Sequence, residues 1–192
     1  MPDQKGWLGY YENRGTKPRM EVIESIKYVR EPCDALDLGS GAFVESKYLL
    51  GNGFSVLAVD PEEGLKPIAR DLVSERFNFE CSKIEDFNFP LNVFGFVCAN
   101  YSLPFIPKSK IQRVFRSIRN SMQNGGILCL QLFGINDGLN KRWRSTAFYS
   151  EDEVIHLIEK FEILSIDSLE GFQKLADGRT NYSHIFKLIL KK

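Results

Sequence analysis

The sequence is poor in the residues that staple a chain, span a membrane or hold a metal. It has four cysteines in 192 residues, none in Cys-x-x-Cys spacing. Cys33, Cys81, Cys98 and Cys129 read as reduced thiols of a cytoplasmic protein, and three of them lie in apolar, strand-like runs. Only two histidines are present, so a zinc site would need ligands from scattered positions, and no metal is expected. No apolar run approaches the roughly 20 residues that cross a bilayer. Met1 to Gly6 lacks the apolar core of a signal peptide. Lys and Arg number 25 against 25 Asp and Glu, a formal net charge of zero, and no long basic stretch marks a dedicated nucleic-acid binder. There is no internal repeat, low-complexity tract or linker. The chain also lacks Gly-Lys-Ser/Thr and Gly-x-Ser-x-Gly, which excludes a P-loop and a hydrolase nucleophile elbow.

What is present suits one domain with a sizeable core: 43% hydrophobic and 26% charged residues. Val22, Ile23, Ile26 and Val29 recur at helical spacing and predict a helix over 18–29. Strands are then expected at 35–38, 55–59, 77–81, 93–99 and 127–133. Between them lie helices over 43–50, up to about Val73, and from a capping-box signature at Ser109 to a stop at Asn124-Gly125-Gly126. Asp60-Pro61-Glu62-Glu63 also carries helix-start signals, but Gly64 and Pro67 favour a later start. A second capping box begins at Ser150. Strands over 161–169 and 182–190 flank the turn signal Ala176-Asp177-Gly178-Arg179 and close the chain as a hairpin-like pair. Repeated β/α units imply an open, mostly parallel sheet with helices on both faces and ligands beyond the carboxyl ends of the strands.

Ala35-Leu36-Asp37-Leu38-Gly39-Ser40-Gly41 is the most informative segment. An apolar strand runs into a glycine turn and a helix, and the next strand ends in Asp60. Glycines let a backbone approach a ligand closely, and a carboxylate at Asp60 can take two ribose hydroxyls. A dinucleotide fingerprint would need a small residue where Val44 stands.

Asp37-Leu38-Gly39-Ser40-Gly41 resembles the first motif, Asp/Glu-x-Gly-x-Gly, of class I S-adenosylmethionine-dependent methyltransferases. The resemblance covers about Pro18 to the C-terminus and is nearest to small bacterial enzymes of the tellurite-resistance and thiopurine type. It implies a Rossmann-like, seven-stranded, mostly parallel sheet with a C-terminal antiparallel strand. It also implies a single domain over 1–192, with 1–30 as lid and helix and 31–192 as core. The cofactor would be S-adenosylmethionine and its product S-adenosylhomocysteine. A carboxylate at Asp37 is tolerable beside a cationic sulfonium, whereas beside a pyrophosphate it would repel. The cofactor-binding residues implied are Asp37, Gly39, Ser40, Gly41, Asp60, Pro61, Lys83, Ile84, Glu85, Asn100 and Tyr101.

Two positions depart from the family pattern. Phe43 stands where a third glycine is common, and Lys83 or Ser82 stands where an acid often meets the adenine amino group. Asn100-Tyr101-Ser102-Leu103 lacks the prolines of the Asn-Pro-Pro-Tyr/Phe signature, so methylation of a planar amino nitrogen does not carry over. Tyr10, Tyr11, Arg14 and Arg19 lie in an aperiodic segment, 7–19, that would act either as a lid or as a loosely packed terminus. Lys141-Arg142-Trp143-Arg144 reads as a solvated loop, with contact to an anionic or aromatic acceptor as the alternative. His156 is expected to be structural. Tyr11, Tyr101 and His184 are the candidate catalytic groups. The neutral charge and compact size favour a small-molecule acceptor; a cytoplasmic location is expected, with either a monomer or a homodimer left open. A protein or RNA methyltransferase working with a recognition partner, and a non-catalytic S-adenosylmethionine-binding module, are the alternatives.

Overall fold

The structure, a computed structural model, describes residues 9, 11, 15–72, 74–175 and 178–192. The expectations placed on Met1 to Gly6, Trp7, Tyr10, Arg14, Val73 and the Ala176-Asp177 turn lie outside these residues.

Parallel strands buried on both faces need near-continuous apolar sequence, and β1 (Asp34–Leu38) supplies it. Ala35, Leu36 and Leu38 are fully buried, and Asp37 is the polar exception at 2% exposure. β1 lies between β2 (Ser55–Asp60) and β4 (Phe94–Ala99), and β3 (Phe77–Cys81) pairs outside β2. β5 (Met122–Gly134) follows β4 in parallel. The chain then returns through β6 (Phe148–Tyr149), which pairs with β5. β7 (Glu162–Lys174) and β8 (Thr180–Lys191) form the final antiparallel pair, with β8 inserted between β5 and β7. The strand order is β3-β2-β1-β4-β5-β8-β7 in an eight-stranded sheet, β6 being the strand beyond the seven expected. The order reverses between β1 and β4, which opens a crevice at their carboxyl ends.

Helices cover both faces. α1 (Met20–Ser25), α2 (Val44–Gly51) and α3 (Lys66–Asp71) bury Val22, Leu49 and Ala69 against Ala35, Val56, Phe96 and Ile127. α4 (Lys108–Ser121) and α5 (Glu151–Ile158) bury Val114, Ile118 and Val154 against Leu36, Val97 and Leu128 on the other face. Among the described residues, no helix is long and apolar enough to cross a membrane. All four cysteines are free; Cys98 and Cys129 are buried, and Cys33 and Cys81 are partly exposed.

Local chemistry explains where the elements depart from the expected boundaries. α1 gives way to a 3-10 turn at Ile26–Tyr28, because Ser25 Oγ bonds back to the carbonyls of Glu21 and Val22 at 2.6 and 3.2 Å and competes with the helical ladder. Ser109 is not a cap. α4 opens two residues earlier, behind Pro107 at φ −54°, with no side-chain cap. Ser150 does form a capping box: its Oγ accepts from Glu153 N at 3.2 Å, and Glu153 Oε2 accepts from Ser150 N at 2.9 Å. The Asn124-Gly125-Gly126 segment does not separate helix from strand. It lies inside β5, where the pairing with β4 shifts register between Phe94 and Phe96 and Gly125 takes a φ of +80°. β7 and β8 run further than the apolar pattern suggested, since cross-strand partners continue from Leu169–Ile185 to Lys174–Thr180.

Phe43 shows how the glycine turn tolerates a ring. It adopts a left-handed φ of 58° at the start of α2, and its side chain is fully buried. The ring packs edge-on against Phe77 at 5.6 Å and Phe79 at 5.2 Å. The left-handed backbone costs about 1–2 kcal/mol, less than the roughly 3–5 kcal/mol lost when a buried phenylalanine is truncated. Phe43→Gly should therefore destabilise the protein by about 2–4 kcal/mol in urea unfolding, although glycine fits the backbone better. A variant as stable as the parent would show that the ring contributes nothing.

Candidate ligand site

The site is built from the turn after β1. Gly39 N and Ser40 N both donate to the Val59 carbonyl, at 2.7 and 3.2 Å, which hooks the turn over the end of β2. Gly39 has a φ of +73°, and a Cβ there would lie 2.3 Å from Ser102 Cβ. Ser102 Oγ in turn donates to the Leu38 carbonyl at 2.7 Å. Glycine is thus required for both the torsion and the close approach. A Cβ on Gly41 would meet the Tyr11 ring at 2.8 Å.

Asp60 ends β2 and is 2% exposed. Its Oδ2 accepts from Gly41 N at 3.0 Å and from the Tyr11 hydroxyl at 3.4 Å, and its Oδ1 accepts from Glu62 N at 2.9 Å. Burial pushes the Asp60 carboxyl above its ordinary value, against the backbone hydrogen bonds that lower it. Asp37 lines the same cavity, but its Oδ2 accepts from Ser46 Oγ at 2.6 Å and its Oδ1 from Cys98 Sγ at 3.4 Å. Asp37 therefore ties α2 to the sheet and places a negative charge beneath the turn.

One cavity of about 1380 Å³ joins these groups. Gly39, Ser40, Gly41, Asp60, Pro61, Lys83, Ile84, Glu85, Asn100 and Tyr101 all line it, along with Asp37. Glu85 is held by Lys110 at 3.5 Å. Both polar atoms of the Asn100 amide are buried without a hydrogen-bond partner, as is Ser40 Oγ. Buried polar groups are rarely left unmatched, so these orphans fit a ligand that pairs with them.

Beyond Tyr101 the cavity opens into a chamber walled by Phe105, Phe133 and Trp143. Phe133 lies 5.9 Å from Tyr101 and 6.4 Å from Trp143. The overhang of β7 and β8 supplies the outer wall through Leu169, Ser183 and Ile185. Arg19 also lines the cavity, its guanidinium 4.7 Å from the Tyr101 ring centre.

The candidate catalytic groups separate in space. Tyr101 stands at the entrance to the chamber. Tyr11 sits instead at Asp60 and Gly41. His184 does not line the cavity: its ring lies over Gly134 and 4.7 Å from Phe186. Strand alternation turns it to the opposite face of β8 from Ser183, Ile185 and Lys187. His156 is exposed and pairs with Glu159 at 3.3 Å. The basic cluster also divides. Lys141, Arg142 and Arg144 are solvent-exposed, whereas Trp143 turns into the chamber. Sequence reading missed Phe133 and Ile185, whose apolar character is indistinguishable from that of core residues, and saw Phe105 only as part of the loop after the fourth strand. Ser102 was visible only as part of a loop.

A family model described as "Methyltransferase domain" matches residues 36–130. No curated protein matches the sequence significantly. The fold is similar to that of TehB from Haemophilus influenzae, with a TM-score of 0.76 at 16% identity, covering 97% of this chain and 67% of that one. It is also similar to 1,6-didemethyltoxoflavin-N1-methyltransferase from Burkholderia thailandensis, solved with 1,6-didemethyltoxoflavin and S-adenosylhomocysteine bound. That match has a TM-score of 0.69 at 15% identity, covering 98% of this chain and 79% of that one. An S-adenosylmethionine-dependent methyltransferase from Methanosarcina mazei matches with a TM-score of 0.68 at 20% identity, covering 86% and 95%.

Gly39→Ala should abolish binding of a nucleoside ligand, measured by calorimetry, because its Cβ collides with Ser102. Retained affinity would mean that the loop after β4 can retreat.

Proposed function

We propose that this chain, whose residues 36–130 match a methyltransferase domain, is an S-adenosylmethionine-dependent methyltransferase and methylates a small molecule held in the aromatic chamber beside the cofactor. The observation that carries this reading is the single cavity. At about 1380 Å³ it exceeds the roughly 300–1,000 Å³ that one drug-sized ligand occupies, which leaves room for cofactor and acceptor together. Residues 1–192 would act as one domain, with 1–30 as lid and helix over the core.

In this proposal Asp60 accepts the ribose hydroxyls. Pro61, Lys83, Ile84 and Glu85 flank the adenine. Gly39, Ser40 and Gly41 pass under the ribose and the amino-acid tail, and Asn100 pairs with the tail. The orphaned Asn100 amide fits that occupant. Asp37 holds its charge below the sulfonium without contacting it. When bound, S-adenosylmethionine supplies a methyl group already activated for in-line displacement. The protein's part is then to align an acceptor lone pair and exclude water, the work of Tyr101 and the aromatic walls. Trp143 supports the second of the two readings of its loop, contact with an acceptor.

The test is to incubate the protein with S-adenosylmethionine and a metabolite panel and follow release of S-adenosylhomocysteine. Turnover on lysate protein or RNA alone would favour a macromolecular acceptor. Tight cofactor binding with no turnover on any of them would favour a non-catalytic module. Asp60→Ala should weaken S-adenosylhomocysteine binding about ten- to a hundredfold by calorimetry, the range for losing charged hydrogen bonds. Because ribose binding needs the ionised carboxylate and burial raises its pKa, affinity should fall on acidification from a higher pH than an ordinary aspartate would give.

A further inference from the structure

We infer that the acceptor is a planar aromatic anion, a molecule that brings its nucleophilic oxygen, sulfur or nitrogen already ionised and is gripped by Arg19. This inference rests on the methyl-transfer reading and adds the acceptor's chemical class.

The first observation is that the carboxylates around the site are already engaged and that no histidine stands among them. The carboxylates that line the cavity are Asp37, Glu45, Asp60, Glu85 and Asp137, and each is engaged. Asp37 is held by Ser46 and Cys98, Asp60 by Gly41 and Glu62, and Glu85 by Lys110. Glu45 accepts from Arg19 N at 3.1 Å. Asp137, the carboxylate of the distal wall, accepts from Leu139 N at 2.9 Å, Asn181 Nδ2 at 2.9 Å and His184 N at 3.0 Å. No histidine is among the residues lining the cavity. Each of these carboxylates already accepts a hydrogen bond or pairs with a lysine, and among the described residues no imidazole lines the cavity, which favours an acceptor that arrives with its lone pair available.

The second observation is a cation at the chamber mouth. The Arg19 guanidinium lies over the Tyr101 ring, and its Nε is buried without a hydrogen-bond partner. A neighbouring cation disfavours a protonated amine and favours an anion, and it lowers the pKa of an acidic group bound beside it. Of the other cations that line the cavity, Lys83, Lys174, Arg179 and Lys187, Lys187 is paired with Glu21 at 2.6 Å.

The third observation is shape. Phe105, Phe133 and Trp143 pack against one another with ring centres 6.1, 6.3 and 6.4 Å apart and line the cavity together as one aromatic wall. Such a wall suits a flat ring. In the reaction the acceptor anion's lone pair forms the bond to the methyl carbon. The carbon–sulfur bond breaks and leaves its electron pair on a neutral thioether. The methylated product is neutral, so no proton remains to be removed and its attraction to Arg19 is lost.

The test measures binding in the presence of saturating S-adenosylhomocysteine, with 4-nitrophenol, 4-nitrothiophenol, nitrobenzene and benzylamine as probes. The anionic rings should bind at least about tenfold more tightly than benzylamine, and the absorbance titration of bound 4-nitrophenol should shift to lower pH. Arg19→Gln should erase that shift and weaken the anions about tenfold or more, leaving nitrobenzene and S-adenosylhomocysteine unchanged, and Arg19→Lys should restore part of the loss. Preference for benzylamine, failure of both anions to bind, or an Arg19→Gln variant that weakens S-adenosylhomocysteine instead would overturn the inference while leaving methyl transfer intact. Failure of the parent protein to bind S-adenosylhomocysteine at all would bring down both.

Discussion

Everything at the site depends on how closely the turn after β1 approaches the loop after β4. Gly39 and Ser102 meet where even one added methyl would overlap. This contact closes the crevice floor at the point where the strand order reverses, and the hydroxyl of Ser102 locks it by bonding to the Leu38 carbonyl. Gly41, two residues on, donates its N–H to Asp60 and so sets the carboxylate at the end of β2. The left-handed torsion of Phe43 then turns the chain into α2 and sends the ring into the core. The opening therefore combines three constraints: a backbone too close for side chains, a carboxylate aimed by that backbone, and a helix anchored by an inward ring.

Electrostatics divide the cavity into two ends. Around Asp60 and Asp37 the carboxylates are buried and engaged, which suits a cationic sulfonium ligand in low dielectric. Beyond Tyr101 aromatic walls stand beside the guanidinium of Arg19, with Asp137, Lys174 and Arg179 among the polar groups that also line the cavity. Burial raises the Asp60 carboxyl, so ionising it in the free protein costs free energy that a ribose can offset. The inward cluster of Phe133, Trp143 and Phe105 gives the other end an aromatic wall.

Much of the fold was legible before any coordinates. β1 to β5 alternate with helices because their apolar runs are short, nearly unbroken and punctuated by glycine. The Ser150 capping box formed because each partner lies within one turn of the other. Ser109 bore the same signature without forming it, because the helix opened two residues early behind Pro107. The glycines at Gly125 and Gly126 mark a register shift in β5 rather than a helix stop, a distinction that depends on the partner strand β4. His184 is a similar case: its strand could be read, but the face it presents is decided by the pairing of β8 with β5.

The sequence by itself determined the local features: the Asp37-to-Gly41 turn, Asp60 at the end of the next strand, the β/α alternation and the final hairpin. These depend on interactions between residues close in the chain, where torsional preference and periodicity leave a direct trace. Only the tertiary structure decided which charges are spent and which residues face one another. It bound Asp37 to Ser46 and Cys98, turned Trp143 inward while its basic neighbours stayed in solvent, and extended β7 and β8 into the wall of the chamber. Those outcomes come from contacts between distant segments, where an apolar residue of the core and one lining a cavity have the same side chain and differ only in what lies opposite.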